Sequence, residues 1–261
     1  MAFSARPRTI NAPMTDPLLL LGHRGSRRRT TPENTFAAFD ASLDDGCDGF
    51  EFDVRRTSDG RAVVIHNPSH KGIPVAKAGI GQLKALPGME QVLEKYGPRG
   101  FLDIELKVPG LEPALVAALG VSPPQRGYVV SSFLPEVLLA IRARRSAIPL
   151  GIICGRPSQL RRAASLPVDF VIVEQALVNP ALVEETHAAG RKLLVWTVNQ
   201  PGAMRRLAAW GVDGLISDDP ALLARTLDRG DVTRELPPKL GPKARGRVRR
   251  RGDLTKREAA D

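Results

Sequence analysis

Short apolar runs of four to seven residues recur along the chain, and between most of them lie longer stretches whose apolar residues repeat at helical spacing. The runs predict strands at 18–22, 49–54, 101–107, 128–131, 149–154, 169–174, 192–197 and 214–218. The periodic stretches predict helices such as 33–43, 134–144, 180–189 and 202–210. Strand and helix alternating over this length argue a parallel sheet, and eight units favour an α/β fold of the (β/α)8 TIM-barrel type over an open doubly wound sheet. No Gly-x-Gly-x-x-Gly turn follows any strand, which weakens the dinucleotide-binding alternative.

Several strands break the apolar pattern near their ends. Residues two apart on a strand share a face, so Glu51 and Asp53 point together while Phe50, Phe52 and Val54 face the other way. Asp103, Glu105 and Lys107 repeat the arrangement against Leu102, Ile104 and Leu106. His23 and Arg24 follow the first strand, and Trp196, Thr197 and Asn199 end the seventh. In such barrels chemistry gathers at the C-terminal ends of the strands, where His23, Arg24, Glu51, Asp53, Glu105, Lys107, Trp196, Thr197 and Asn199 fall. After the second strand, Asp59-Gly60 lies between apolar runs and predicts a two-residue hairpin turn. With Ser58 facing Arg61, Asp53 falls opposite His66; a turn one residue longer moves His66 to the other face.

Composition sets the surroundings. A chain of 261 residues with 43% hydrophobic content can bury a sizeable core. No apolar run reaches membrane-spanning length, and residues 1–16 read as a flexible segment without a signal-peptide stretch, so a cytoplasmic protein is expected. Cys47 and Cys154 make no zinc or redox spacing and read as core thiols. The barrel domain is expected over 17–230. The net charge is +10, and residues 231–261 carry ten Lys or Arg against five Asp or Glu, half of that excess. This tail lacks apolar periodicity and reads as disordered. Its charge suits a weak contact with nucleic acid or an anionic membrane, or only a solubilising role; nothing calls for an obligate protein partner.

Three carboxylates at the strand ends, Glu51, Asp53 and Glu105, without cysteine suit one hard divalent cation bound through oxygen, Mg²⁺ or Ca²⁺ rather than zinc. Arg24 and Lys107 could hold the non-bridging oxygens of a phosphodiester. His23 and His66 are suited to proton transfer, with their order as base and acid left open.

The segments Gly22-His23-Arg24-Gly25, Pro32-Glu33-Asn34-Thr35, Glu51-x-Asp53-Val54, Thr57-x-Asp59-Gly60, Val64-Ile65-His66, Glu105-x-Lys107, Trp196-Thr197-Val198-Asn199 and Gly211-Val212-Asp213-Gly214 together resemble the glycerophosphodiester phosphodiesterase family, over about residues 18–223. The resemblance implies a TIM barrel and metal-dependent cleavage of glycerophosphodiesters to glycerol 3-phosphate and an alcohol. It also implies metal ligands at Glu51, Asp53 and Glu105, catalytic histidines at His23 and His66, and phosphate contacts from Arg24 and Lys107. The implied mechanism has the substrate's glycerol 2-hydroxyl attack phosphorus, giving a cyclic phosphate that water opens. Trp196 would offer an apolar wall to the glycerol carbons, or pack as an ordinary rim aromatic.

Two departures stand out. Asn67 occupies the position where the family usually has Asp, removing a charge beside the site. Only 38 residues separate His66 from Glu105, so the family's long polar insertion is abbreviated. A more open mouth follows, and with it a bulkier substrate such as a lysophospholipid, cleaved in a phospholipase D-like reaction. The rival from another class is a barrel without turnover that binds phosphate esters or anionic surfaces. Pro32-Glu33-Asn34 is read locally, with Thr31 capping a helix that starts near Pro32. His70 reads as a loop histidine and His187 as structural. Arg27, Arg28 and Arg29 could draw anions to the rim or form a solvated loop.

Overall fold

The computed structural model describes residues 17–27 and 31–227. The expectations for residues 1–16, for Arg28 and Arg29, and for the basic segment 231–261 lie outside the described residues. Strand β1 (Leu19–Gly22) leads through helix α1 (Phe36–Asp44) to β2 (Gly49–Arg56). The far end of β2 folds back as β3 (Ala62–Val64), and a two-stranded hairpin, β4 (Ser69–His70) and β5 (Ile73–Pro74), leads on to α2 (Met89–Tyr96). Strand and helix then alternate: β6 (Phe101–Leu106), α3 (Glu112–Val121), β7 (Tyr128–Ser132), α4 (Pro135–Arg144), β8 (Leu150–Cys154), α5 (Pro157–Ala163), β9 (Phe170–Glu174), α6 (Pro180–Ala188), β10 (Lys192–Trp196), α7 (Pro201–Ala209), β11 (Gly214–Ser217) and α8 (Pro220–Thr226). Proline opens each of the last five helices, where its missing N–H costs nothing and its fixed φ suits the first turn.

The eight strands read from the sequence form one parallel ring. β2 pairs with β6, β6 to β11 follow in order, and β1 closes the ring by pairing with both β11 and β2. Two apolar layers explain why these strands are nearly continuous hydrophobic runs. Leu19, Leu21, Phe101, Val129, Ile153, Phe170, Ile172, Leu194 and Ile216 fill the interior. Leu20, Phe50, Phe52, Val54, Leu102, Ile104 and their equivalents pack outward against the helices. Phe39 of α1 stacks on Phe50 at 4.2 Å, Tyr96 of α2 meets both rings edge-on, and its hydroxyl donates to the Phe36 carbonyl. Each such aromatic pair adds about 0.5–1.5 kcal/mol beyond area burial, here on the strand that carries Glu51 and Asp53. Among the described residues, no helix is long and apolar enough to cross a membrane.

Two local expectations are corrected. The ladder pairs Val54 with Val64 and Arg56 with Ala62, one residue out of the expected register. Thr57 faces Arg61 across three residues, with Gly60 at φ +79° and the Thr57 hydroxyl bonded to Asp59, so the turn carries an extra left-handed residue. Ile65, not His66, therefore lies across from Asp53, its N–H donating to the Asp53 carbonyl at 2.9 Å. Helix α1 begins at Phe36 with Thr35 as its cap, rather than near Pro32 with Thr31 as cap. Asn34 takes φ +58° and turns its side chain inward instead of opening the helix.

Candidate active site

The β2–β6 register sets the carboxylates side by side. Glu51 is level with Asp103 and Asp53 with Glu105, all four buried at the C-terminal half of the barrel interior. Oxygens of Glu51, Asp53 and Glu105 lie within 4.8 Å of one another. Lys107, one residue beyond β6, places Nζ 2.7 Å from Glu105 Oε1 and 3.3 Å from Asp53 Oδ1. Arg24, in the turn after β1 at φ +55°, brings Nε to 3.3 Å from Asp53 Oδ2, and its backbone N–H donates to Glu51 Oε2 at 3.0 Å. The Asn34 amide donates to Asp53 Oδ2 at 2.8 Å and accepts from the Asp53 N–H. Glu51 Oε1 is buried and accepts no hydrogen bond.

These positions set the ionisation. Burial first, then the Asp53 and Glu105 charges, push Glu51 well above the usual carboxylate range. Burial and Asp53 raise Glu105 to about 7. Burial likewise lifts Asp103 to about 7, although the Ser131 hydroxyl donates to it at 2.5 Å. Burial opposes the charge on Asp53 too, yet Lys107, Arg24 and the Asn34 amide hold it below the usual range. Of the three buried carboxylate oxygens that accept no hydrogen bond, Asp53 Oδ1 and Glu105 Oε1 face Lys107, and Glu51 Oε1 is left for a further positive partner. A hard divalent cation fits this donor set: the oxygens are closely grouped, and sulfur and imidazole are absent from the group.

Two imidazoles flank the carboxylates. His23 Nδ1 donates to Asp218 Oδ1 at 2.7 Å, because a carboxylate can only accept, and Nε2 is turned inward, 3.9 Å from Glu51 Oε2. His66 Nδ1 meets the Asn67 amide oxygen at 3.0 Å, so Asn67 supplies an acceptor without the charge of an aspartate. Burial lowers the His66 pKa. Both histidines line a cavity of about 150 Å³ with Arg24, Glu51, Glu105 and Lys107. Its opposite wall is apolar: Phe133, Ile153, Ile172, Trp196 and Ile216. Trp196 packs edge-on against Phe133 with centroids 5.7 Å apart, and its indole N–H donates to the Ile172 carbonyl.

The structure therefore brings His23, Arg24, Glu51, Asp53, His66, Glu105, Lys107 and Trp196 to one end of the barrel. His70 does not line the cavity, and His187 is an exposed residue of α6 paired with Asp213 at 2.8 Å. Arg27 is held between Glu33 and Asp218 rather than free in a solvated loop. The supporting residues escaped the sequence reading. Asp218, which holds His23, is itself held by Asn199 Nδ2 at 2.7 Å, and its N–H donates to Asn199 Oδ1. Its only sequence signal is its place at the end of the last strand; the neighbouring Asp219 instead caps α8. Glu33, read as a helix-start residue, pairs with Arg24 at 2.8 Å.

Comparison with known proteins agrees with this arrangement. The family model described as the glycerophosphoryl diester phosphodiesterase family matches residues 23–84 and 119–222. The chain is 31% identical over 240 residues to a glycerophosphodiester phosphodiesterase of Caldanaerobacter subterraneus, covering 81% of this chain and 98% of the relative. A Bacillus altitudinis protein of the same name is 27% identical over 233 residues, covering 77% of this chain and 94% of that protein. A crystal structure of an Oleispira antarctica phosphodiesterase in complex with its product sn-glycerol 3-phosphate superposes with a TM-score of 0.72 at 25% identity, covering 82% of this chain and 97% of the other. The chain, a closed (β/α)8 barrel, belongs to the glycerophosphoryl diester phosphodiesterase family of enzymes.

Proposed function

We propose that the protein hydrolyses glycerophosphodiesters to glycerol 3-phosphate and an alcohol, with Glu51, Asp53 and Glu105 holding one divalent cation, Mg²⁺ or Ca²⁺. The observation that carries this reading is the buried carboxylate group with Glu51 Oε1 unpartnered, set between two imidazoles and two cationic side chains in one cavity. Bound there, the cation would neutralise charge on the phosphoryl oxygens and relieve the mutual repulsion of the carboxylates. Arg24 and Lys107 hold the non-bridging oxygens and offset the charge that develops as phosphorus is attacked. No nucleophilic side chain is needed, because the substrate's glycerol 2-hydroxyl reaches phosphorus within the same molecule. One histidine takes that hydroxyl's proton as the new P–O bond forms, and the other protonates the departing alcohol oxygen as the old bond breaks. Water then opens the cyclic phosphate with the two roles reversed.

Asp218 and Asn67 present the Nε2 atoms of His23 and His66 to the reacting groups. A cavity of about 150 Å³ is below the about 300 Å³ at which drug-sized sites begin, and suits a glycerophosphate head with the alcohol at the mouth. The wall of Phe133, Ile153, Ile172, Trp196 and Ile216 supports a second reading, in which the scissile ester belongs to a lysophospholipid. Replacing Glu105 with Gln tests the central claim: cation-stimulated release of glycerol 3-phosphate is expected to fall to background, and unchanged turnover would refute the site. Glycerophosphocholine and lysophosphatidylcholine assayed side by side separate the two substrates; strong preference for the first removes the second reading.

A further inference from the structure

Regular pairing alone does not take His66 to the cavity. In the observed register Ile65 lies across from Asp53, so a ladder continued by one more residue would turn His66 away from the face that carries Glu51 and Asp53. The ladder instead ends at Val64. Ile65 makes one last backbone bond, to the Asp53 carbonyl, and His66 follows in a bend. Within that bend the His66 carbonyl accepts a hydrogen bond of 2.7 Å from Nε of Arg55. Arg55 lies on β2 two residues beyond Asp53, half-buried, and shares the face of Glu51 and Asp53.

We propose that Arg55 is the positioning residue for His66. Its side chain reaches from β2 to the His66 carbonyl and holds the His66 backbone in the bend, so that the imidazole meets the phosphodiester. The proposal rests on the reading of His66 as a proton-transfer residue. A rival role for Arg55 is purely electrostatic, since its guanidinium also faces the Asp53 and Glu105 carboxylates. The two roles ask for different atoms: positioning needs an N–H donor at the Nε position, and electrostatics needs the charge.

Three substitutions separate them. Arg55→Gln keeps an N–H donor at the same bond count from Cα and removes the charge. Arg55→Lys keeps the charge and moves the donor one atom outward, and Arg55→Met removes both. Turnover number and KM for glycerophosphocholine, and the cation concentration at half-activation, are measured for each. The expected result is a Gln variant within about twofold of the parent and a Met variant about tenfold lower in kcat, a misplacement-sized loss, with KM and half-activation unchanged. Lys is expected to fall between them. In a His66→Ala background Arg55→Met should cost nothing further. A Lys variant at parent turnover with a Gln variant as impaired as Met, a Met variant at parent turnover, or losses that multiply in the double variant would each overturn the proposal. The Gln and Lys pair decides the matter even where Met compromises folding. Full turnover in His66→Ala alone would overturn the mechanism that the proposal rests on, which is a separate outcome.

Discussion

Replacing Asp218 with Asn removes one charge and leaves the shape of the side chain almost unchanged. The carboxylate accepts from His23 Nδ1 at 2.7 Å, from Asn199 Nδ2 at 2.7 Å and from Arg27 Nη1 at 3.0 Å. Burial disfavours its charge, but these hydrogen bonds hold its pKa well below the usual carboxylate range. An amide offers one accepting oxygen, so it cannot satisfy the donors on both sides, and whichever way it turns an N–H faces another donor. Arg27 is 42% exposed in its side chain, so its ion pair contributes little. The loss that matters is the bond to His23. A hydrogen bond to a charged group is worth about 1.5–3 kcal/mol net. Lost from the transition state, that energy slows turnover by roughly ten- to a hundredfold. The assay is release of glycerol 3-phosphate from glycerophosphocholine at saturating cation, with kcat reduced, KM near the parent value, and no additional loss when Asp218→Asn is combined with His23→Ala. A variant within twofold of the parent in kcat, while His23→Ala is inactive, would refute the claim that Asp218 orients His23.

Two further outcomes follow from the buried charges. Glu51, Asp103 and Glu105 keep protons in the folded state that the unfolded chain releases from about pH 4 upward, so without cation stability should fall as pH rises from there towards about 7. His66, with its lowered pKa, acts in the opposite sense, as one imidazole against three carboxyl groups. A bound cation favours the ionised carboxylates, so adding Mg²⁺ or Ca²⁺ should raise the melting temperature more at pH 8 than at pH 5.5; equal increments would contradict the ligand assignment. Asn34→Ala removes both hydrogen bonds to Asp53, and should cost about 1–3 kcal/mol in denaturant unfolding together with weaker cation activation. Unchanged stability and activation would show that Asp53 is held by Lys107 and Arg24 alone.

Much of this protein is written locally along the chain. A period of two put Glu51 with Asp53 and Asp103 with Glu105, because alternate strand residues share a face wherever the strand lies. The eight strands appear where the apolar runs place them, since parallel strands buried on both faces must be continuously apolar. His23, Arg24, Lys107 and Trp196 were legible because they follow or end barrel strands, and barrel topology brings those ends to one rim, whereas the register that set His66 opposite Asp53 was one residue out. What the tertiary structure decided lies between segments far apart in sequence. Asp218 reaches His23 across 195 residues only because β11 closes on β1. Asn34 reaches Asp53 through a left-handed turn that the Pro32-Glu33-Asn34 composition disguised as the start of a helix. His66 enters the cavity through a bend whose carbonyl accepts from Arg55, where a rule of alternation alone would turn it away. Alternation is a property of one strand and survives in isolation; a hydrogen bond between distant segments exists only once the ring has closed.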